Sequence, residues 1–114
     1  MGVTYNLSRL EAVAEGDTAF IHQVLTVFVT EVTSDIKKMQ SALLVNDPIE
    51  VSKLAHKIKP NLILLGLENA ASLCIKIEKS RFDPVSTPIL QHYLNELQAT
   101  IAAVIRLLKK DFPI

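Results

Sequence analysis

The sequence predicts an all-α protein, an antiparallel up-down-up-down four-helix bundle with a short N-terminal helix across one end. Three observations lead there. Apolar residues recur every three to four positions through four long stretches, the signature of one buried helical face. Glycine is scarce (Gly2, Gly16, Gly66) and β-branched runs with period-two alternation are absent. The stretches are joined by short segments carrying helix stop and start signals, and short loops between long amphipathic helices make antiparallel neighbours.

The elements follow in order. Leu7 to Ala14 forms the short helix, ending at Gly16, where glycine accepts the left-handed conformation of a helix terminus. Asp17 supplies an N-cap for a long helix reaching Leu44, whose core face holds Phe20, Val24, Phe28, Val32, Ile36, Met39 and Leu43. Asn46-Asp47-Pro48-Ile49-Glu50 is the clearest start signal. Asp47 caps, Pro48 takes the first helical position, and Glu50 can reach back as in a capping box. This third element runs from Pro48 to about Leu67. Glu68 to Lys79 is the fourth, turning Ala70, Leu73, Cys74 and Ile77 inward. After a turn at Arg81 to Pro84, Ser86-Thr87-Pro88 opens the last helix, with a seam of Leu90, Leu94, Leu97, Ile101, Val104 and Leu108.

Bulk composition bounds the function. The 114 residues fit one domain, spanning 1–114, and leave no room for a multi-domain enzyme. Twelve Lys/Arg balance twelve Asp/Glu, which argues against a nucleic-acid binder. Tyr5, Phe82 and Tyr93 are too few and scattered to stack bases. The one cysteine, Cys74, excludes an intrachain disulfide and reads as a buried apolar residue. No stretch approaches the roughly 20 apolar residues of a membrane span, and the N-terminus lacks a signal-peptide pattern. A cytoplasmic protein, a monomer without membrane attachment, is the expectation. Apolar residues nevertheless make up 49% of the chain, so some apolar surface is expected to remain exposed.

Neutrality conceals an asymmetry. Residues 1–36 hold one base and five acids, residues 37–82 eight bases and four acids, and residues 83–114 three of each. A basic middle can steer an acidic partner, although exposed helix faces carry charge in any case.

That basic part contains a helix that breaks its own pattern. At about 100° per residue, Val51, Leu54, Ala55, Ile58, Leu62 and Leu65 share one core-facing arc, and His56 points away from it. Ser52, Lys59, Pro60, Ile63 and Leu67 share the outer side with His56. Single exposed apolar residues are ordinary, but Pro60, Ile63 and Leu67 at helical spacing form a contiguous patch that favours a docking surface. A metal site is disfavoured, since the helical neighbours of His56 are Ser52, Lys53, Lys59 and Pro60. The same helix face offers no carboxylate, Ser or Cys partner suited to a catalytic dyad. What remains is a solvated imidazole flanked by lysines, chemistry suited to accepting a phosphoryl group. His22 and His92 lack comparable surroundings and read as surface or boundary residues.

Ala55-His56-Lys57-Ile58-Lys59-Pro60, with Gly66 ten positions after the histidine, resembles the Ala-His-x-Leu-Lys-Gly motif of histidine phosphotransfer (HPt) domains. The resemblance extends over nearly the whole chain. It implies an intermediate of a two-component phosphorelay that takes a phosphoryl group from a receiver-domain aspartyl phosphate and passes it to another receiver aspartate. It further implies that His56 is the phosphoacceptor, through the ring nitrogen farther from the backbone. Lys59 would help hold the phosphoryl group, and Gly66 would permit close packing near the helix end. The implied partners are response-regulator receiver domains and a hybrid sensor histidine kinase, with Ser52, Pro60, Ile63, Gly66 and Leu67 as docking positions. No cofactor or metal is expected in this chain, and any Mg²⁺ would belong to the receiver.

One residue departs from the pattern, since Pro60 stands where the family has glycine. Proline removes the N–H that would bond the His56 carbonyl, so either one kinked helix continues through Leu62 and Leu65, which the core arc favours, or the helix restarts at Pro60. Two other readings compete. One is a non-catalytic interaction module that binds a receiver or a helix through the patch around His56. The other, the phosphoacceptor domain of a sensor kinase, normally carries an acidic residue where Lys57 stands and needs an ATP-binding domain. Autonomous ATP-dependent kinase activity is therefore not expected, and the chain is read as a phosphocarrier.

Overall fold

The computed structural model describes residues 3–114. It is all helical, with α1 (Ser8–Ala14), α2 (Thr18–Leu44), α3 (Pro48–Leu64), α4 (Glu68–Lys79) and α5 (Thr87–Asp111). The 27 residues of α2 span about 40 Å at 1.5 Å per residue, which accounts for the 44 Å long axis of the molecule. The other two axes, 25 and 23 Å, are those of four helices side by side. Helix α3 packs against α4 and α2, and α5 closes the bundle against α4 and, more lightly, α2.

The caps form where the sequence signals them. Asp17 Oδ1 accepts from the backbone N–H of Phe20 at 3.0 Å, and Asp47 Oδ1 from that of Glu50 at 3.1 Å. Ser86 Oγ accepts from Ile89 N–H at the start of α5. Each satisfies one of the amide donors that a helix start leaves unpaired. The predicted seams of α4 and α5 are buried, as are Phe28, Val32, Ile36, Met39 and Leu43 of α2. Of the rest of that predicted face, Val24 is half-buried against the core and Phe20 is exposed. Phe20 sits in the first turn of α2, where it lines a shallow groove with Val24, Val27, Asn61 and Leu64 instead of entering the core.

Helix α3 is continuous through Pro60, so the helix does not restart there. It stops at Leu64, three residues before the predicted end, because Gly66 adopts φ +71° and turns the chain into α4. A Cβ on Gly66 would lie 2.7 Å from Asn6 Cβ. Asn6 itself is tied down by its N–H to the Leu65 carbonyl at 2.9 Å. The N-terminal strap therefore crosses the α3–α4 turn where only glycine fits. At the same end the Tyr5 hydroxyl hydrogen-bonds Asp111. No helix of the described residues is long and apolar enough to cross a membrane.

Candidate functional site

Position on α3 decides the surroundings of each side chain. Ala55 and Ile58 are fully buried, and His56 between them projects outward with 76% of its side chain exposed. Helix α4 flanks one shoulder of α3 and α2 the other, so residues beside the core arc meet a neighbouring helix before they reach solvent. On the α4 shoulder, Glu78 reaches across to α3. Its Oε1 lies 2.9 Å from His56 Nδ1 and its Oε2 3.0 Å from Lys59 Nζ. The Ser52 hydroxyl donates to the backbone carbonyl of Glu78 at 3.2 Å and so fixes the base of the same residue. On the opposite shoulder, Lys57 Nζ lies 3.0 Å from Oδ1 of Asp35 of α2, a carboxylate only 2% exposed.

These contacts fix the chemistry of the imidazole. A carboxylate can only accept, so in the neutral ring the Nδ1 proton points to Glu78 and the lone pair is left on Nε2. Among the described residues no protein group takes up Nε2, which faces solvent. Beneath the cluster lies Cys74, fully buried. Burial, reinforced by the charge of Glu78 and partly offset by Lys59, pushes its thiol up to about 12. Cys74 is thus an inert core residue and no nucleophile.

The predicted site residues divide. His56, Lys59, Pro60 and Ile63 share one surface, with Lys59 half-buried and the others exposed. Two expected outer residues are not there. Ser52 is buried because α4 covers that shoulder, and its hydroxyl is used internally. Leu67 is buried because the turn at Gly66 ends the α3 register and swings Leu67 into the core. Gly66 is half-buried and packs closely under Asn6. Of the two lysines beside His56 on the helix, Lys59 is paired with Glu78, while Lys53 is exposed and in no ion pair among the described residues.

Sequence reasoning missed Glu78. The outer face of α3 carries no carboxylate of its own, and the one beside His56 comes from α4. Glu78 directly follows the core residue Ile77 on α4, the helix next to α3, and that offset was the available signal.

The bundle presents His56 exposed at mid-helix with its Nδ1 beside Glu78, while His92, near the start of α5 and also exposed, meets Glu96 at 2.8 Å. The model of the Hpt domain family matches residues 23–107, from the first turns of α2 to the last turns of α5, and the chain belongs to that family. It thereby has a histidine phosphotransfer role in phosphorelays, where Hpt domains interact with receiver domains. Searches of curated proteins and of solved structures returned no match.

Proposed function

We propose that the chain works as one helical phosphotransfer module that carries the phosphoryl group on Nε2 of His56 between the aspartates of two receiver domains. The carrying observation is the exposed imidazole whose Nδ1 is held by Glu78 at 2.9 Å. In the forward step the Nε2 lone pair forms the N–P bond as the P–O bond of the aspartyl phosphate breaks, and the receiver carboxylate leaves with its electron pair. The ring becomes positively charged, with the proton still on Nδ1, and Glu78 stabilises that charge. The reverse displacement by a second aspartate restores the neutral ring, so no proton is exchanged with solvent over the cycle.

Lys59, one turn from His56, has three N–H donors and uses one on Glu78. The remaining donors are available to a phosphoryl oxygen, which supports its role in holding the transferred group. Pro60 and Ile63, exposed beside His56, are proposed receiver contacts, and Leu64 with Phe20 and Val27 extends the apolar surface across the α2–α3 groove. Proline at position 60 leaves the His56 carbonyl without its helical donor, while its compact ring keeps the approach to the imidazole low.

Incubation with a phosphorylated receiver domain tests the proposal. Wild type should acquire an acid-labile, alkali-stable label that His56→Gln does not. If the wild-type protein binds the receiver and takes no label, the chain is an adaptor and the phosphocarrier reading fails.

A further inference from the structure

Helices α2 and α5 touch lightly, and an open groove of about 610 Å³ runs between them. Its floor is apolar. Ile36 and Ile101 are buried, and Val29 and Ile105 are partly buried against the same core. Two polar residues of its walls are satisfied within the chain, since Thr30 Oγ1 donates to the Thr26 carbonyl and Gln98 Oε1 accepts from Gln40.

Every charged residue lining the groove is a cation, namely Lys37, Arg106 and Lys109. None of the three is in an ion pair among the described residues. The acids of the two helices are all placed elsewhere. Glu31 lines the groove on the α2–α3 side, and Asp35 is buried against Lys57. Glu96 meets His92, and Asp111 bonds Tyr5. Gln40 hydrogen-bonds both Gln91 and Gln98, which sets Lys37 level with Gln98 in this antiparallel pair. Arg106 and Lys109 follow Gln98 by 8 and 11 residues, about 12 and 16 Å along α5. The cations thus mark the two ends of one apolar trough.

We propose that this groove docks an acidic amphipathic helix of a partner protein, its apolar face on the floor and its carboxylates at Lys37, Arg106 and Lys109. Charge selects this occupant. A second copy presenting the same groove would set cations against cations, which opposes association. An anionic amphiphile with one head group would engage only one end. A helix with carboxylates two to three turns apart reaches both ends. The groove lies on the α2–α5 side, across the bundle from the α3–α4 side where Glu78 meets His56. A docked helix therefore leaves His56 open to a receiver and tethers the carrier near its partner. The use as a tether rests on the phosphocarrier reading, and the binding itself does not.

Fluorescence anisotropy with a labelled synthetic peptide of about 18 residues, long enough to form a helix, tests the proposal. The peptide carries leucines along one face and glutamates on both flanks of that face, and a control peptide has lysines in place of the glutamates. The acidic peptide should bind saturably in the micromolar range, and the control should not bind. Lys37→Gln combined with Arg106→Gln and Lys109→Gln should weaken binding at least about tenfold with an unchanged circular dichroism spectrum. Ala102→Glu, at an exposed position lining the groove, should do the same. Lys110→Gln, exposed on α5 outside the groove, should bind like wild type. No saturation up to roughly 500 µM, equal binding of the control peptide, or a triple variant that binds like wild type would each overturn the proposal. Dodecanoate binding the groove more tightly than the peptide, or self-association that the triple variant abolishes, would assign a different occupant and overturn it as well. His56→Gln should bind the peptide normally, so the labelling experiment succeeds or fails independently of this one.

Discussion

Glu78 binds His56 through one carboxylate oxygen and Lys59 through the other, at 2.9 and 3.0 Å, so one α4 residue holds both of the α3 side chains proposed to carry and grip the phosphoryl group. Glu78→Gln keeps the size and can still accept one hydrogen bond, but it removes the charge facing the imidazolium that forms during transfer. The expected outcome is a fall of about tenfold in the rate of phosphoryl acquisition, the equivalent of about 1.4 kcal/mol. Thermal stability should change little, since Glu78 is not a core residue. Stopped-flow or quench-flow labelling by a phosphorylated receiver measures it, and an unchanged rate removes Glu78 from the mechanism.

Lys57 should matter for stability and not for transfer. Asp35 is buried and Lys57 is its only charged partner among the described residues. Lys57→Met leaves a buried carboxylate unpaired. Loss of a partner from a fully buried pair costs 3–5 kcal/mol. Because the lysine is half exposed, about 1–3 kcal/mol is expected here. Urea denaturation should show this loss, and Asp35→Leu in the same chain should recover most of it.

The two described glycines separate two effects. Gly16 and Gly66 both have positive φ, but nothing lies within 4 Å of a Cβ at Gly16, whereas Asn6 blocks one at Gly66. Gly16→Ala should cost about 1 kcal/mol from backbone strain alone. Gly66→Ala should cost at least about 1 kcal/mol more, because the strap carrying Asn6 must shift. Parallel denaturation curves give the difference.

Alkaline pH should weaken the fold. The Cys74 thiol is pushed up to about 12 by burial, and the Tyr5 hydroxyl to about 12 by burial and by its bond to Asp111. Both groups hold their protons more tightly folded than unfolded. Their contributions are complete below the ordinary pKa values of 9.0 and 10.0 and are lost as the pH rises towards 12. Stability measured by urea titration should therefore decline from about pH 9 upward. At pH 8 an alkylating reagent should modify Cys74 in denaturant and spare it in the native protein.

Much of this molecule was legible in its sequence because local physics determined it. Asp17, Asp47 and Ser86 cap the helices they precede, and the three-to-four spacing on α4 and α5 identified their buried seams. Position counting on α3 also separated His56 from its buried neighbours. It failed where a second helix decides the environment. Ser52 lies about 100° from Val51 on the helical wheel, a direction that is solvent for an isolated helix and the face of α4 in the bundle. Leu67 was counted on a helix that had already ended at the left-handed turn of Gly66. Glu78 sits 22 positions from His56 and 19 from Lys59, and Asp35 22 from Lys57, pairings no single-helix periodicity contains.

The central claim is that the phosphoryl group resides on Nε2 of His56 while Nδ1 keeps its proton against Glu78. Nuclear magnetic resonance of the phosphorylated protein with ¹⁵N-labelled histidine reads both nitrogens directly. The account predicts phosphorus coupling to the Nε2 of a single histidine, His56, with Nδ1 protonated and the His22 and His92 resonances unmoved. Coupling to Nδ1 of His56, or to either other histidine, would contradict it.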